Sequence, residues 1–182
     1  MEYFDIVDEN GNPTGEIVSR DEAHDKGIRH RTAHVWIVRH SLSGYDALFQ
    51  KRSENKDSFP GMFDTSSAGH IPAGDEPEVS ALRELSEELG IEASLDHLSY
   101  AGIFHIRYEK EFHGRMFRDN EVTTVYVYTE PVKIEDLRLQ ESEVSEVRWF
   151  SVEDVWKEIQ TDRNRFCVPT EGLNILREYL GR

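Results

Sequence analysis

The chain has 182 residues, 37% of them hydrophobic, which is enough for one sizeable core and short for two domains. Its formal net charge of −15, from 36 acidic against 21 basic residues, excludes broad nucleic-acid or anionic-membrane binding, because phosphate-rich surfaces need a positive footprint. No signal or transit segment and no apolar run of membrane-spanning length is visible, so a soluble cytoplasmic protein is expected, and the lone Cys167 excludes an internal disulfide or a CxxC-type zinc site.

In chain order, Phe4 to Val7 and Glu16 to Val18 flank the turn-rich Asp8-Glu9-Asn10-Gly11-Asn12-Pro13, which predicts an opening hairpin. Ser19 is a candidate cap for a short helix to about Lys26. Ala33 to Val38 reads as a buried strand, with Ala47 to Lys51 as its neighbour. A loop from Ser53 to Gly61 follows, then a helix from about Glu76 to Leu89 that Gly90 ends. Tyr100 to Tyr108, Val122 to Tyr128 and Val144 to Phe150 are further strands. Ser151 to Gln160 and Thr170 to Leu180 read as closing helices, with Ser151 and Thr170 as caps. Strands mixed with flanking helices in one unit predict an α/β sandwich of residues 1–182, with the hairpin and short helix in 1–30.

The helix ending at Leu89 carries the chemistry. At 3.6 residues per turn, Glu84, Glu87 and Glu88 lie within roughly 100° of arc, with Val79, Leu82, Leu85 and Leu89 on the opposite, packing side. Like charges three and four residues apart repel, so their clustering calls for a cation. Oxygen-only ligands point to Mg²⁺, with Mn²⁺ as the alternative. The plainer reading is a solvated acidic face on an amphipathic helix.

The flanking residues favour the metal. Gly69, five residues, Asp75, seven residues, Arg83-Glu84-Leu85, one residue, Glu87-Glu88, one residue and Gly90-Ile91 resembles the Nudix box, here residues 69–91. Asp75 stands where the family pattern has Glu, which keeps the charge and shortens the side chain. The resemblance implies a Nudix-type α/β/α sandwich with a mixed sheet, and hydrolysis of a diphosphate linked to another group, X. It also implies metal ligation by Glu84, Glu87 and Glu88 with the Gly69 carbonyl, and an Arg83 that orients the glutamates by salt bridging. The cation would neutralise a diphosphate that otherwise repels water's attack.

A longer resemblance covers roughly residues 4 to 128. The segments IVDENGNPTGEIVSRDEAHDKGIRHRTAHVWIV, KRSENKDSFPGMFDTSSAGH and RDNEV are similar to isopentenyl diphosphate isomerase, which shares the Nudix fold. It implies a second metal held by His24, His30 and His70 with Asp119 and Glu121, and Glu121 is expected among the box-metal ligands as well. The spacing between His24 and His30 differs by one residue from the isomerase pattern. Each histidine is otherwise a surface or hydrogen-bonded core residue. The isomerase's catalytic cysteine position is Ala68, which cannot donate a proton. Hydrolysis is therefore the expectation, with an isomerase-like enzyme of altered chemistry or a non-catalytic sensor of a diphosphate metabolite as alternatives.

Arg52 and Lys56 match basic residues that clamp the substrate diphosphate in the isomerase, and Phe59 is a candidate wall beside them. For activation of water, Glu87 in the box competes with Glu143 in the acidic stretch Gln140 to Glu146, where Glu141 and Glu146 are further options. A small-molecule diphosphate is the expected partner. Oligomeric state is open, a homodimer being one option.

Overall fold

The structure is a computed structural model that describes residues 1–181. Strands β1 (Tyr3–Val7) and β2 (Pro13–Ser19) pair antiparallel as the opening hairpin. Ser19 then caps α1 (Arg20–Lys26), its hydroxyl accepting from the Glu22 amide at 3.3 Å. Phe4, Val18 and Ala23 form a small core of their own between hairpin and helix.

The main sheet splits at β3 (His30–Ser41), and that split makes the site. The first half of β3 pairs antiparallel with β6 (Ser67–His70), the second half with β4 (Gly44–Arg52). On its other side β3 runs parallel to β8 (Arg115–Tyr128). Strand β7 (Leu98–Phe112) closes that edge, while β5 (Phe63–Asp64) and β9 (Val144–Ser151) pair with β4. Where β4 and β6 diverge, Ser66 bridges them: its hydroxyl accepts from the Ile37 amide at 2.8 Å and donates to the Leu48 carbonyl. One partner strand is thus exchanged for two, and a cleft opens between them.

Period-two alternation along β3 sends Ala33, Val35 and Ile37 to one face and Trp36 and Val38 to the other. The first set packs on Ala81, Leu85 and Leu89 of α2 (Pro77–Leu89). The second joins Phe49, Val125, Val155, Leu173 and Leu176 beneath α3 (Val152–Ile159) and α4 (Thr170–Leu180). Helices therefore cover both faces of a mixed sheet, the expected α/β/α sandwich. Among the described residues no helix is long and apolar enough to cross a membrane.

Several expectations change in detail. Strand β3 extends well beyond Ala33 to Val38, and the short β5 and β6 lie inside the stretch read as loop or left unassigned. Strands β7 and β8 form one long hairpin through His113-Gly114, both at positive φ, whereas two shorter separate strands were expected. Their outer halves lie beyond the core, so charged residues there lack the apolar alternation that marks a half-buried strand. Thr170 is the first helical residue of α4 and Pro169 takes the cap position; the Thr170 hydroxyl accepts from Arg163 Nη1 at 2.6 Å instead. On α2, Val79 is half exposed while Ser80 and Glu88 are buried, so the packing face is rotated towards the acidic side. Glu88 is drawn inward by polar partners on β4 and β6, which an apolar count cannot register.

Candidate active site

The cleft holds about 270 Å³, and every residue proposed from sequence for the box glutamates, the clamp and the acid pair lines it. Its two walls differ in construction.

The box wall is built by α2 against β6. Gly69 faces Glu84 so closely that a Cβ added there would lie 2.2 Å from the Glu84 carboxyl carbon, which explains why this position lacks a side chain. Arg83 holds the wall together: Nη2 donates to Glu84 Oε1 at 2.9 Å and to the His70 carbonyl at 3.2 Å, and Nη1 to Asp75 Oδ2 at 3.4 Å. The shorter Asp75 therefore still reaches the arginine. Glu87 stands at the mouth, its side chain 53% exposed and 4.0 Å from Arg83 Nε. Glu88 is buried and accepts from Gln50 Nε2 and Ser67 Oγ at 2.9 Å and from the Ala68 amide at 3.3 Å. Burial, reinforced by neighbouring Glu84, pushes the Glu88 carboxyl up to about 8. Burial also raises Glu84, against the opposing pull of Arg83.

The second wall is assembled from four elements. His24 comes from α1, His30 from β3, His70 from β6, and Asp119 and Glu121 from β8. Ligand atoms of His24, His30, His70 and Glu121 all lie within 4.8 Å of one another. Asp119 Oδ1 is 3.7 Å from His24 Nε2 and 3.9 Å from His30 Nε2, while Glu121 Oε1 is 3.8 Å from His30 Nε2 and 3.6 Å from His70 Nε2. The structure thus joins Glu121 to the histidines. Nδ1 of His24 donates to the Arg20 carbonyl at 3.0 Å and Nδ1 of His30 to the Ile28 carbonyl at 2.8 Å. That fixes each tautomer with a bare Nε2 turned inward. The Nε2 atoms of His24, His30 and His70 are buried without a hydrogen-bond partner. Burial lowers His24 to about 3 and His30 to about 4, and raises both Asp119 and Glu121. Phe4 stacks on His30 and His70 at 4.9 and 4.6 Å, and Phe117 on His24 at 4.3 Å, which excludes solvent from behind the rings.

Among the described residues this is the one set of three or more such ligands drawn together at that spacing; the box carboxylates spread along their wall instead. Each is held apart by its own partner, Glu84 by Arg83 and Glu88 by Gln50 and Ser67.

The clamp residues also have intramolecular partners. Arg52 Nε donates to the Ser58 carbonyl at 2.9 Å, Nη2 to Ser58 Oγ at 3.1 Å, and Nη1 to Asp64 Oδ2 at 3.4 Å. Lys56 pairs with Glu143, which ties the loop before β5 to the turn before β9. Glu146 is bound by Arg148 and lies outside the cleft lining, as does exposed Glu141. Phe59, at φ 46, packs edge-on to Tyr108 and Phe112 on the cleft rim, whereas Phe63 is core.

Sequence reasoning passed over His34, Asp64 and Tyr108, all on the cleft wall. His34 could have been found: it lies two residues from Thr32 and four from His30, hence on the same face of one strand. Cys167, remote in sequence, also lines the cleft, with its thiol towards the Phe63 carbonyl at 3.6 Å and pushed up by burial.

Residues 28–168 match the model of the NUDIX domain. The chain is 41% identical over 155 residues to Nudix hydrolase 3 of Arabidopsis thaliana, covering 84% of the chain and 20% of that protein. It is 42% identical over 143 residues to an uncharacterized Nudix hydrolase of Clostridium acetobutylicum, covering 79% of the chain and 66% of the relative. An isopentenyl-diphosphate Delta-isomerase of Aliivibrio fischeri is 28% identical over 177 residues, covering 96% of the chain and 95% of that protein. Among solved structures, a Deinococcus radiodurans protein superposes with a TM-score of 0.70 at 20% identity, covering 97% of this chain and 98% of the other. The NUDIX domain of Shewanella oneidensis NrtR, solved with ADP ribose, superposes at 0.59 with 16% identity, covering 90% and 99%. The chain spans a fifth to two thirds of the length of these two hydrolase relatives. With the domain match covering most of the sequence and the split sheet carrying the box beside the cleft, the chain belongs to the Nudix family.

Proposed function

We propose that the protein is a divalent-metal-dependent diphosphohydrolase acting on a small organic diphosphate, a nucleoside diphosphate linked to X or a similar compound. The observation that carries this reading is one cleft lined by the acidic helix wall and by His70, Asp119 and Glu121, with the unpartnered imidazoles of His24 and His30 gathered beside His70. Glu84, Glu87, Glu88 and the Gly69 carbonyl form an oxygen donor set suited to Mg²⁺, with Mn²⁺ as the alternative. The mixed nitrogen and oxygen set of His24, His30, His70, Asp119 and Glu121 suits a divalent ion that accepts imidazole, such as Zn²⁺. Bound there, such cations neutralise phosphate oxygens and acidify water.

The chain's own residues do the rest. Arg83 keeps Glu84 against Gly69, so the carboxylate and carbonyl remain on one side of the cleft. Arg52 and Lys56 supply the cations facing the diphosphate, each oriented by its acidic partner. Glu87 at the mouth or Glu143 opposite takes the proton of the attacking water, both lying on the cleft lining.

Isomerisation lacks a proton donor at the required place. Ala68 is a methyl group on the cleft wall, and the buried Cys167 thiol is occupied with a backbone carbonyl. Phosphate release from a panel of organic diphosphates, with and without Mg²⁺, tests the reading. Mg²⁺-dependent release supports it, and a product with a shifted double bond and no phosphate released would overturn it.

A further inference from the structure

The end of the cleft beyond β6 holds a polar group that neither metal wall uses. His34 projects from β3 and pairs in register with Ala68 on β6, so the imidazole lies on the same face as that methyl. It is 7% exposed and lines the cleft, and its ring nitrogens, unlike those of His24, His30 and His70, are not sealed without a partner but open to the cleft. Phe104 packs edge-on against the ring at 5.9 Å. Asp64, Arg52 and Cys167 line the cleft as well, and the first two act on the ring electrostatically. Burial holds the imidazole at about 4, so near neutrality it is uncharged, with one N–H and one lone pair to offer.

A polar atom served only by cleft water is left with an unmet hydrogen bond when a bound group displaces that water without replacing it. A hydrocarbon chain laid here would seal that deficit in, and would also desolvate the Arg52–Asp64 pair. A hydroxyl or carbonyl would relieve it. Ala68, its register partner, puts only a methyl group on the cleft lining beside the ring.

We propose that His34 is a specificity determinant that hydrogen-bonds an oxygen on the organic half of the substrate, so the cleft selects diphosphates of hydroxylated groups over diphosphates of plain hydrocarbon chains. This rests on the diphosphate reading of the cleft and narrows it. The nature of X is thereby set at this end of the cleft and not by the metals. Sites built to bond a substrate oxygen reject the analogue lacking it more strongly than apolar pockets reject an added one.

The experiment compares two non-hydrolysable methylene-bisphosphonate monoesters, one bearing a dihydroxylated short chain and one a hydrocarbon chain of equal length. Binding is measured by calorimetry on the metal-loaded full chain, alongside hydrolysis of the two corresponding diphosphates. Wild type should bind the hydroxylated ligand about tenfold more tightly, as one net hydrogen bond allows. His34→Leu should abolish the preference, and His34→Asn, which keeps a donor and an acceptor, should restore part of it. Equal binding of both ligands by wild type, or a preference that survives in His34→Leu, would overturn the proposal. Preferential binding without hydrolysis of either diphosphate would uphold it while rejecting the hydrolase reading. Matching circular dichroism and thermal midpoints for the variants exclude a folding defect as the cause.

Discussion

The two walls of the cleft are both lined with acids, yet they are made in opposite ways. The box wall draws its three carboxylates from a single helix, satisfies two of them with Arg83, Gln50 and Ser67, and leaves Glu87 half open to solvent. The histidine wall draws its ligands from α1, β3, β6 and β8, buries them, and leaves three ring nitrogens unsatisfied. On the proposed reading, a pre-satisfied, partly exposed oxygen wall would take a cation that arrives with substrate. On the same reading, a dry wall of fixed tautomers, stacked on Phe4 and Phe117, would hold a resident ion.

The comparison can be broken most sharply at Glu87. Glu87→Gln keeps the shape and removes a charge at the mouth, so turnover should fall by on the order of a hundredfold or more with the fold intact. Near-wild-type kcat in that variant would remove Glu87 from the box wall's chemistry.

Gly69→Ala should come next. Its new methyl group meets the Glu84 carboxyl at 2.2 Å, so the Glu84 side chain must swing off Arg83 or α2 must shift, at a cost of about 1–3 kcal/mol in denaturant unfolding if the carboxylate stays. Unchanged stability and an unchanged Mg²⁺ dependence would mean that Glu84 is free to move away. Arg52→Ala should raise KM for diphosphates several-fold more than it lowers kcat, because a clamp contributes uniform binding. A fall in kcat alone would instead make Arg52 a support for Asp64 and Ser58.

The smallest effect separates the walls by pH in the metal-free protein. His24 and His30 are depressed by burial from 6.5 to about 3 and about 4, so folding binds fewer protons than unfolding in that window. Their contribution to stability is complete above pH 6.5 and is lost as pH falls towards 4. Glu88 is raised from 4.5 to about 8, which reverses the sign: its contribution is complete below pH 4.5 and is lost as pH rises through 8. In urea unfolding, His30→Gln should flatten the acid limb and Glu88→Gln the alkaline one. The opposite assignment would show that burial is not what shifts these groups.

How much of this was legible in the sequence follows from the same contrast. The box wall was readable because its residues are contiguous and their spacing is set by helical geometry: Glu84, Glu87 and Glu88 all reach the cleft side of α2, with Arg83 bonded to Glu84 beside them. What failed there was the apolar count, since Glu88 is buried by hydrogen bonds and Val79 is left half exposed. The histidine wall has no local period, because His24, His30, His70, Asp119 and Glu121 meet only once β3 has β6 on one side and β8 on the other. A resemblance could name those residues, but composition could not. The β7–β8 hairpin was under-read for a related reason: beyond Tyr108 it leaves the main cores and keeps only local contacts such as Phe112 with Phe59 and Phe117 with His24, too few to impose alternation. His34 escaped notice because a histidine in a buried strand looks like packing until the cleft beside it is known.

The two-walled cleft is tested most directly by metal stoichiometry. Wild type and His30→Ala, dialysed to equilibrium against Mn²⁺ and Mg²⁺ and read by elemental analysis, should differ by one tightly held ion while weaker Mg²⁺ binding persists in both. A single class of site, or loss of both classes together in His30→Ala, would contradict two independently built metal walls.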